Sequence, residues 1–228
     1  DEHISNLRRG ILPFFESGLR EIVELNLAQK RLMFTTDAQL GIENSDVIFI
    51  AVGTPSADGG KADLSAVFQV ADAVARFING YKVVVVKSTV PVGTIHKIRD
   101  YIGKNMKKQH DFAVISNPEF LREGDAVQDF MVPDRIVIGV DEEDTPAGNG
   151  RGKDIITSIY KSIERTGRPI VYTDIKTAEL TKYASNAMLA SRISFMNALA
   201  HLCEKVGTDI KMIAKGIGLD HRIGPRFL

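Results

Sequence analysis

The sequence DVIFIAV, residues 46–52, decides the fold of this chain, together with KVVVVK at residues 82–87. Neither run alternates polar with apolar residues, which is typical of strands covered on both faces of a parallel sheet. Between them, residues 64–78 have the spacing of an amphipathic helix, and Asp63 is placed to act as its N-cap. A strand, a helix and a strand in this order predict a right-handed βαβ unit.

The same alternation continues on both sides of this unit. We predict further strands at residues 31–35, 112–116, 135–140 and 169–172, further helices at 18–29, 93–103 and 153–163, and an acidic, glycine-rich surface loop at 141–152. The sequence therefore predicts an α/β fold with a Rossmann-like parallel sheet, whose first βαβ strand is missing.

A different pattern begins after Asp174. Residues 176–206 contain neither proline nor glycine and are periodic at helical spacing, so they predict one helix about 45 Å long. That length exceeds a crossover helix, and a second helix is predicted near residues 209–215. We therefore divide the chain into a Rossmann-like domain at 1–173 and a helical domain at 174–228, each incomplete at its outer end.

Composition excludes several classes of function. The 228 residues carry a net charge of zero, so no global field attracts nucleic acid or an acidic membrane surface. No run reaches the roughly 18 apolar residues of a membrane span, and no pattern of metal ligands is present. Cys203 is the single cysteine, which precludes a disulfide framework and favours a cytoplasmic location. Its apolar neighbours predict a core position rather than a nucleophile.

Two loops follow the two long buried strands, at the sheet edge where ligands bind in open α/β sheets. VGTP (52–55) offers a glycine that lets a ligand approach the backbone, and a threonine hydroxyl. KSTVPVGT (87–94) offers a serine and a threonine, and its proline keeps the preceding residue out of helical geometry. Ordinary strand-to-helix turns are the alternative for each loop taken singly.

A third loop, NPEFLREG (117–124), follows the predicted strand at 112–116. It places Glu119 and Glu123 four residues apart with Arg122 beside them, which suggests acid/base chemistry. The alternative is a helix-start acid with an exposed arginine partner. On the long helix, Lys182 and Asn186 share one face and could hold an oxyanion, although a solvated face explains most such pairs.

In this order, these pieces resemble the nucleotide-sugar dehydrogenases. The matching stretches cover nearly the whole chain: LPFFESGL (12–19), VGTPSADGGKADLS (52–65), KSTVPVGT, NPEFLREG, VPDRIVIG (132–139), the Lys182/Asn186 pair and HRIGPRFL (221–228). Each is weak by itself, but seven in sequence are specific. VPDRIVIG and HRIGPRFL favour the UDP-glucose branch over the GDP-mannose branch.

The resemblance implies two successive NAD-dependent oxidations, which convert C6 of UDP-glucose to the carboxylate of UDP-glucuronate through a cysteine thioester. It implies cofactor-binding residues Val52, Gly53, Thr54, Pro55, Ser88, Thr89, Val90 and Glu123. It implies catalytic residues Thr89, Glu119, Glu123, Lys182 and Asn186. It implies substrate-binding residues Glu119, Phe120, Leu121, Arg122, Lys182, Asn186 and Arg222.

Within these sets the resemblance assigns roles. Thr89 and Glu123 would position the water that hydrolyses the thioester, and Glu119 is the other acid/base candidate. Lys182 and Asn186 would stabilise oxyanions. Arg222 would reach the sugar nucleotide, across a homodimer interface built on the long helix.

Two features of the family are missing from the 228 residues. The glycine-rich dinucleotide fingerprint is expected on a strand before residue 1, and the nucleophilic cysteine in a Gly-Gly-Ser-Cys-Phe loop about a dozen residues after Leu228. We therefore expect these residues by themselves to be inactive and the longer parent to be a dehydrogenase. Three alternatives stay open: a GDP-mannose 6-dehydrogenase, a 3-hydroxyacid dehydrogenase, and a non-catalytic binding or dimerisation module.

Overall fold

Five strands form one sheet in the computed structural model, which describes residues 2–141, 150–164 and 167–228. The strands lie in the order β1-β2-β3-β4-β5. Their bounds are β1 Val47–Ile50, β2 Lys82–Val86, β3 Phe112–Ser116, β4 Ile136–Gly139 and β5 Ile170–Thr173. The five strands predicted from residue 46 onwards are therefore confirmed.

The helices confirm the predicted alternation and add short elements to it. They are α1 Glu2–Arg8, α2 Leu19–Ala28, α3 Ala38–Glu43, α4 Ser65–Phe77, α5 Thr94–Asn105, α6 Ala126–Met131, α7 Arg151–Glu164, α8 Ile175–Val206 and α9 Ile210–Gly218. We did not predict α3 and α6, because six residues are too few to show a helical period. Residues 142–149 of the predicted acidic loop lie outside the described residues.

The βαβ unit is as predicted. Strand β2 pairs in parallel with β1 on one side and with β3 on the other, and all five of its residues are buried. Helices α4 and α5 cover one face of the sheet, where Val67 and Ile98 are fully buried. Helix α7 covers the other face, where Ile156 and Tyr160 pack on Val85. Burial on both faces explains the uninterrupted apolar run of β2. Strand β1 differs from this expectation, because Phe49 is 38% exposed at the edge of the sheet.

The prediction of a strand at residues 31–35 is wrong. These residues form no ladder, and β1 is the edge strand of the sheet within the described residues. A strand requires hydrogen bonds from a neighbouring strand, whereas here the Arg8 side chain donates to the Phe34 carbonyl at 2.8 Å. The composition of residues 31–35 does not indicate whether a neighbouring strand is available to pair with them.

The predicted parallel sheet is confirmed except at one pair of strands. Strands β3 and β4 are antiparallel and pair through Ser116 and Gly139, while β4 and β5 are parallel. The connection contains only α6, whose six residues extend about 9 Å. In this connection, residues 117–135, no long helix covers a face of the sheet as α4 and α5 do in the two connections before it.

The predicted N-cap of α4 is one position off. Leu64 occupies the N-cap, and the Asp63 carboxylate accepts a hydrogen bond from the Ser65 backbone N–H at 2.8 Å. This bond lowers the pKa of Asp63. The carboxylate therefore satisfies a free N–H of the first turn, as a cap does, from the residue before.

Gly139, at the end of β4, makes room for the first turns of α8. A Cβ added there would lie 2.6 Å from the Ala178 Cβ and 3.0 Å from the Asp174 carbonyl oxygen. Any side chain would therefore push the helix away from the sheet. The glycine in VPDRIVIG is explained by this packing.

Two compact units make up the chain, Asp1–Leu180 and Thr181–Leu228. In the second unit the Arg192 side chain donates to the Gly224 carbonyl at 2.9 Å, and Pro225 packs against Gly218 at the end of α9. Our domain division at residue 173 stays a prediction.

Among the described residues, we find no helix that could span a membrane.

Candidate functional site

The loops that follow β1 and β2 are joined by side-chain hydrogen bonds. The Thr54 hydroxyl donates to the Thr89 carbonyl at 2.8 Å, and the Ser88 hydroxyl donates to the Val52 carbonyl at 2.7 Å. The structure therefore brings the two predicted cofactor loops together. Because each bond runs from one loop to the other, the loops are held as one surface.

This surface has room for a ligand at Gly53. The residue is exposed, and no atom lies within 4 Å of the position that a Cβ would take. Pro55 is exposed as well, whereas Val90 is buried beneath the second loop. A flat ligand could thus approach the backbone at residues 52–55, as we predicted for a cofactor.

Glu179, a residue of α8, anchors the second loop. We did not predict a role for this residue from the sequence. Its carboxylate accepts hydrogen bonds from the backbone N–H groups of Gly93 at 2.6 Å and Ile95 at 3.0 Å, and its side chain is buried. The acid thereby satisfies the first N–H groups of α5 and complements the helix dipole. The partners are 84 and 86 residues away, so no local pattern indicates them.

A buried polar cluster joins the second loop to the start of the third. The Asn117 side-chain oxygen accepts hydrogen bonds from the Tyr160 hydroxyl at 2.5 Å and the Lys87 ammonium at 3.3 Å. The Asn117 amide donates to the Val137 carbonyl at 2.9 Å, and the residue is 1% exposed. Asn117 therefore fixes the point where the third loop, residues 117–124, leaves the sheet.

Burial of the Tyr160 hydroxyl has a measurable consequence at high pH. Desolvation raises its pKa to about 12, above the roughly 10 of an unfolded tyrosine. The folded state therefore holds the proton more tightly, and the free energy of unfolding should decrease by about 2 kcal/mol between pH 10 and 12.

Chemical denaturation of wild type and Tyr160→Phe across this range would measure the effect. The phenylalanine variant lacks this titration, so the difference in stability between the two proteins should narrow as the pH rises. A constant difference from pH 8 to pH 12 would contradict the assignment.

The first half of the third loop is held by local contacts. The Glu119 carboxylate accepts a hydrogen bond from the Leu121 N–H at 2.7 Å. The guanidinium carbon of Arg135 lies 3.7 Å from the centroid of the Phe120 ring, a cation–π contact. Leu121 itself is 38% exposed. Glu119 and Phe120 thus have fixed positions beside the sheet edge.

Arg122 is held by acids of α6. Its guanidinium donates to both carboxylate oxygens of Asp129, the shortest distance being 2.7 Å, and lies 3.4 Å from Asp125. The bonds to Asp129 raise the pKa of Arg122. Its substrate-binding role stays a prediction, and in this structure its charge is already compensated.

Glu123 itself is exposed, and its neighbours are tethered on both sides. The backbone N–H of Arg122 donates to Asp129, and that of Gly124 donates to Glu16 at 2.8 Å. We assigned no role to Glu16 from the sequence, although it lies in the matching stretch LPFFESGL.

The remaining predicted residues lie in the second unit. Lys182 is 6% exposed and Asn186 is exposed, one turn apart on α8. The Arg222 guanidinium binds both oxygens of Asp220, at 2.7 and 3.1 Å, which raises the pKa of the arginine and lowers that of the aspartate. Cys203 is buried and unpaired, so its predicted core position is confirmed.

Two family models match the chain in succession. The NAD binding domain of the UDP-glucose/GDP-mannose dehydrogenase family matches residues 1–164, and the central domain of the same family matches residues 176–228. The chain belongs to this family. The resemblance inferred from the seven stretches is thereby confirmed, and a 3-hydroxyacid dehydrogenase is disfavoured.

Curated members of the UDP-glucose/GDP-mannose dehydrogenase family are similar along the entire chain. A UDP-glucose 6-dehydrogenase of Rhizobium meliloti is 50% identical over 226 residues, which are 99% of this chain and 50% of that protein. One from Bacillus subtilis is 43% identical over 228 residues, 100% of this chain and 47% of the relative. The chain thus spans about half the length of the curated relatives it matches.

Solved structures show the same relationship. A UDP-glucose dehydrogenase from Pyrobaculum islandicum superposes with a TM-score of 0.90 at 39% identity, covering 99% of this chain and 51% of that one. A GDP-mannose dehydrogenase from Pseudomonas aeruginosa gives 0.88 at 31% identity, covering 97% and 50%. The α/β fold of the family is therefore confirmed for this chain.

Proposed function

We propose that the protein containing this chain is an NAD-dependent UDP-glucose 6-dehydrogenase that produces UDP-glucuronate. The observation that carries the proposal is the 50% identity, over 226 residues, to a UDP-glucose 6-dehydrogenase. The overall reaction consumes one C6 alcohol, two NAD⁺ and one water, and it yields one carboxylate, two NADH and three protons.

NAD is the cofactor implied by the first family model, and the two joined loops fit it. Residues 52–55 present exposed backbone with open space at Gly53, and residues 88–90 lie beside them through the bond from Thr54 to Thr89. These loops would hold the cofactor at the sheet edge. NAD supplies the acceptor for one hydride in each oxidation.

The third loop provides the acids of the proposed mechanism. Glu123 and Thr89 would position the hydrolytic water, with the carboxylate accepting its proton as it attacks the thioester carbonyl. Glu119 is the second acid/base candidate. This assignment is supported by the position of the loop, which Asn117 anchors directly after β3.

The second unit provides the proposed oxyanion stabilisers. An ammonium at Lys182 and an amide at Asn186 would hold the negative oxygen as C6 becomes tetrahedral. Arg222 would bind the sugar nucleotide after leaving its present partner Asp220.

Cys203 does not fit the role of thiol nucleophile. Its side chain is 4% exposed inside the second unit, so it cannot reach a sugar nucleotide. We propose that the thiol is supplied by a part of the protein outside these 228 residues. The chain by itself should then produce no UDP-glucuronate.

The decisive test is the stoichiometry of the full-length protein with each sugar nucleotide. We expect two NADH for every UDP-glucose consumed, and much slower turnover with GDP-mannose. One NADH for each substrate molecule would contradict the two-step oxidation. Faster turnover with GDP-mannose would identify the alternative branch, and no turnover with either would favour a non-catalytic module.

We also propose a homodimer through α8. Three apolar residues recur at intervals of seven along this helix and are exposed: Met188 at 65%, Phe195 at 57% and Leu202 at 52%. Residues seven apart lie almost on one face of a helix, so they form an apolar stripe that a second copy could cover.

Replacing Met188 and Leu202 together by glutamate should convert the dimer to monomer, because two charges would be desolvated in the interface. Light scattering coupled to size-exclusion chromatography measures this directly. Lys211→Glu, on the exposed face of α9, is the matched control and should remain dimeric. A wild-type protein that is monomeric at micromolar concentration would contradict the proposal.

A cytoplasmic location is part of the proposal. It is supported by the buried, unpaired state of Cys203, the single cysteine in the sequence.

A further inference from the structure

We propose that Glu16 is a positioning residue that holds Glu123 in its catalytic place. This inference rests on the proposed function, because it concerns the acid that would activate the hydrolytic water. Glu16 precedes α2 and is more than 100 residues away in sequence from the loop it contacts. It would act through the loop backbone and not on the substrate.

The Glu16 carboxylate bridges two backbone N–H groups, one at the end of the third loop and one at the start of α6. One oxygen accepts from Gly124 at 2.8 Å, and the other accepts from Ala126, the first residue of α6, at 3.1 Å. Hydrogen bonds to an ionised acceptor are stronger than those between neutral groups. Both oxygens are used, so the carboxylate fixes the distance between the two amides.

A second carboxylate holds the opposite side of Glu123. The backbone N–H of Arg122 donates to an oxygen of Asp129 at 2.8 Å, and the Arg122 side chain adds three further bonds to the same acid. Glu123 therefore lies between two neighbours whose amides are both bound to carboxylates. Its backbone cannot rotate without breaking at least one of these bonds.

These tethers matter because the loop has little apolar packing of its own. Leu121, Arg122, Glu123 and Gly124 are all exposed. Gly124 has a φ of +90°, which glycine adopts easily. Because glycine also adopts many other conformations, contacts from other residues are needed to hold the backbone here. A segment with few buried contacts opens at low free energy, so polar tethers set its order.

The test uses Glu16→Ala and Glu16→Gln in the full-length protein, with Glu21→Ala as matched control. Glu21 is an exposed acid of α2, five residues away in sequence. Hydrogen exchange of residues 117–131 is measured without substrate. NADH formation is followed through the first turnover and into the steady state, because only the steady-state rate depends on thioester hydrolysis. The thermal midpoint of each variant reports whether it has folded.

We expect exchange at residues 117–131 to accelerate in Glu16→Ala and, to a smaller extent, in Glu16→Gln, which keeps one acceptor oxygen. Thioester hydrolysis should slow roughly 10- to 100-fold in Glu16→Ala, since small misplacement of a catalytic group has effects of this size. The ratio kcat/KM for UDP-glucose and the rate of the first NADH should remain near wild type, as in Glu21→Ala, because both report steps that precede hydrolysis.

Unchanged exchange at residues 117–131 in Glu16→Ala would overturn the proposal. So would equal slowing of both oxidations and of hydrolysis in Glu16→Gln, because general destabilisation does not select one step. The exchange experiment requires no substrate, so failure of the tether is distinguishable from failure of the proposed reaction. If UDP-glucose is not oxidised by the wild type but exchange responds to Glu16, only the catalytic assignment of Glu123 fails.

Discussion

Replacing Lys182 by alanine should lower the turnover of the full-length protein with UDP-glucose by about 10²- to 10³-fold, the range found when one preorganised oxyanion donor is removed. The side chain is 6% exposed, so its charge acts where water screens little. The loss should appear in kcat, because the interaction strengthens as C6 becomes tetrahedral.

The buried position of Lys182 calls for a second variant. Lys182→Met keeps the length and the apolar stem but removes the charge, so it should fold as wild type does and lose a comparable amount of activity. Lys205→Ala, an exposed lysine of the same helix, is the control and should be fully active. Near wild-type turnover of a folded Lys182→Met would contradict the assigned role.

Replacing Glu123 by glutamine should stop the reaction at the thioester. The amide has the shape of the carboxylate but accepts no proton, and loss of a general base costs about 10²- to 10⁴-fold. Both oxidations precede hydrolysis, so the variant should release up to two NADH for each active site in a burst and then almost none.

Rapid mixing with detection of NADH would resolve this burst, and mass spectrometry of the quenched protein would detect the thioester adduct. Asp125→Asn changes an exposed acid two residues away and should retain steady turnover. A Glu123→Gln protein that shows wild-type steady turnover, or no burst and no adduct, would refute the hydrolytic role. The Glu16 variants should show the same burst to a lesser degree.

The sequence predicted those parts of the fold whose stability depends on local pattern. The apolar runs at β1, β2 and β3 are uninterrupted by polar residues, so their strands were predicted from sequence. Residues 176–206 contain no proline or glycine, so α8 was predicted to within one residue. The prediction at residues 31–35 failed because a strand depends on its neighbour. The antiparallel direction of β4 was missed because it depends on the path of the chain through residues 117–135, which apolar periodicity does not indicate.

The candidate site was also predicted only in part. The sequence indicated the three loops and the Lys182/Asn186 pair, because the residues of each motif are close together along the chain. It did not indicate what holds the loops. Glu16, Glu179 and Tyr160 each act on residues at least 43 positions away.

The sequence was thus sufficient to predict most of the strands and helices, the family and the chemical groups available to the site. The folded structure was needed to show which groups hold the others in place: Glu179 at the second loop, Tyr160 with Asn117 at the start of the third loop, and Glu16 with Asp129 around Glu123. The physical reason is that apolar periodicity is a local property of the chain. A buried or bridging polar group, in contrast, is satisfied by whichever donor the folded backbone brings to it.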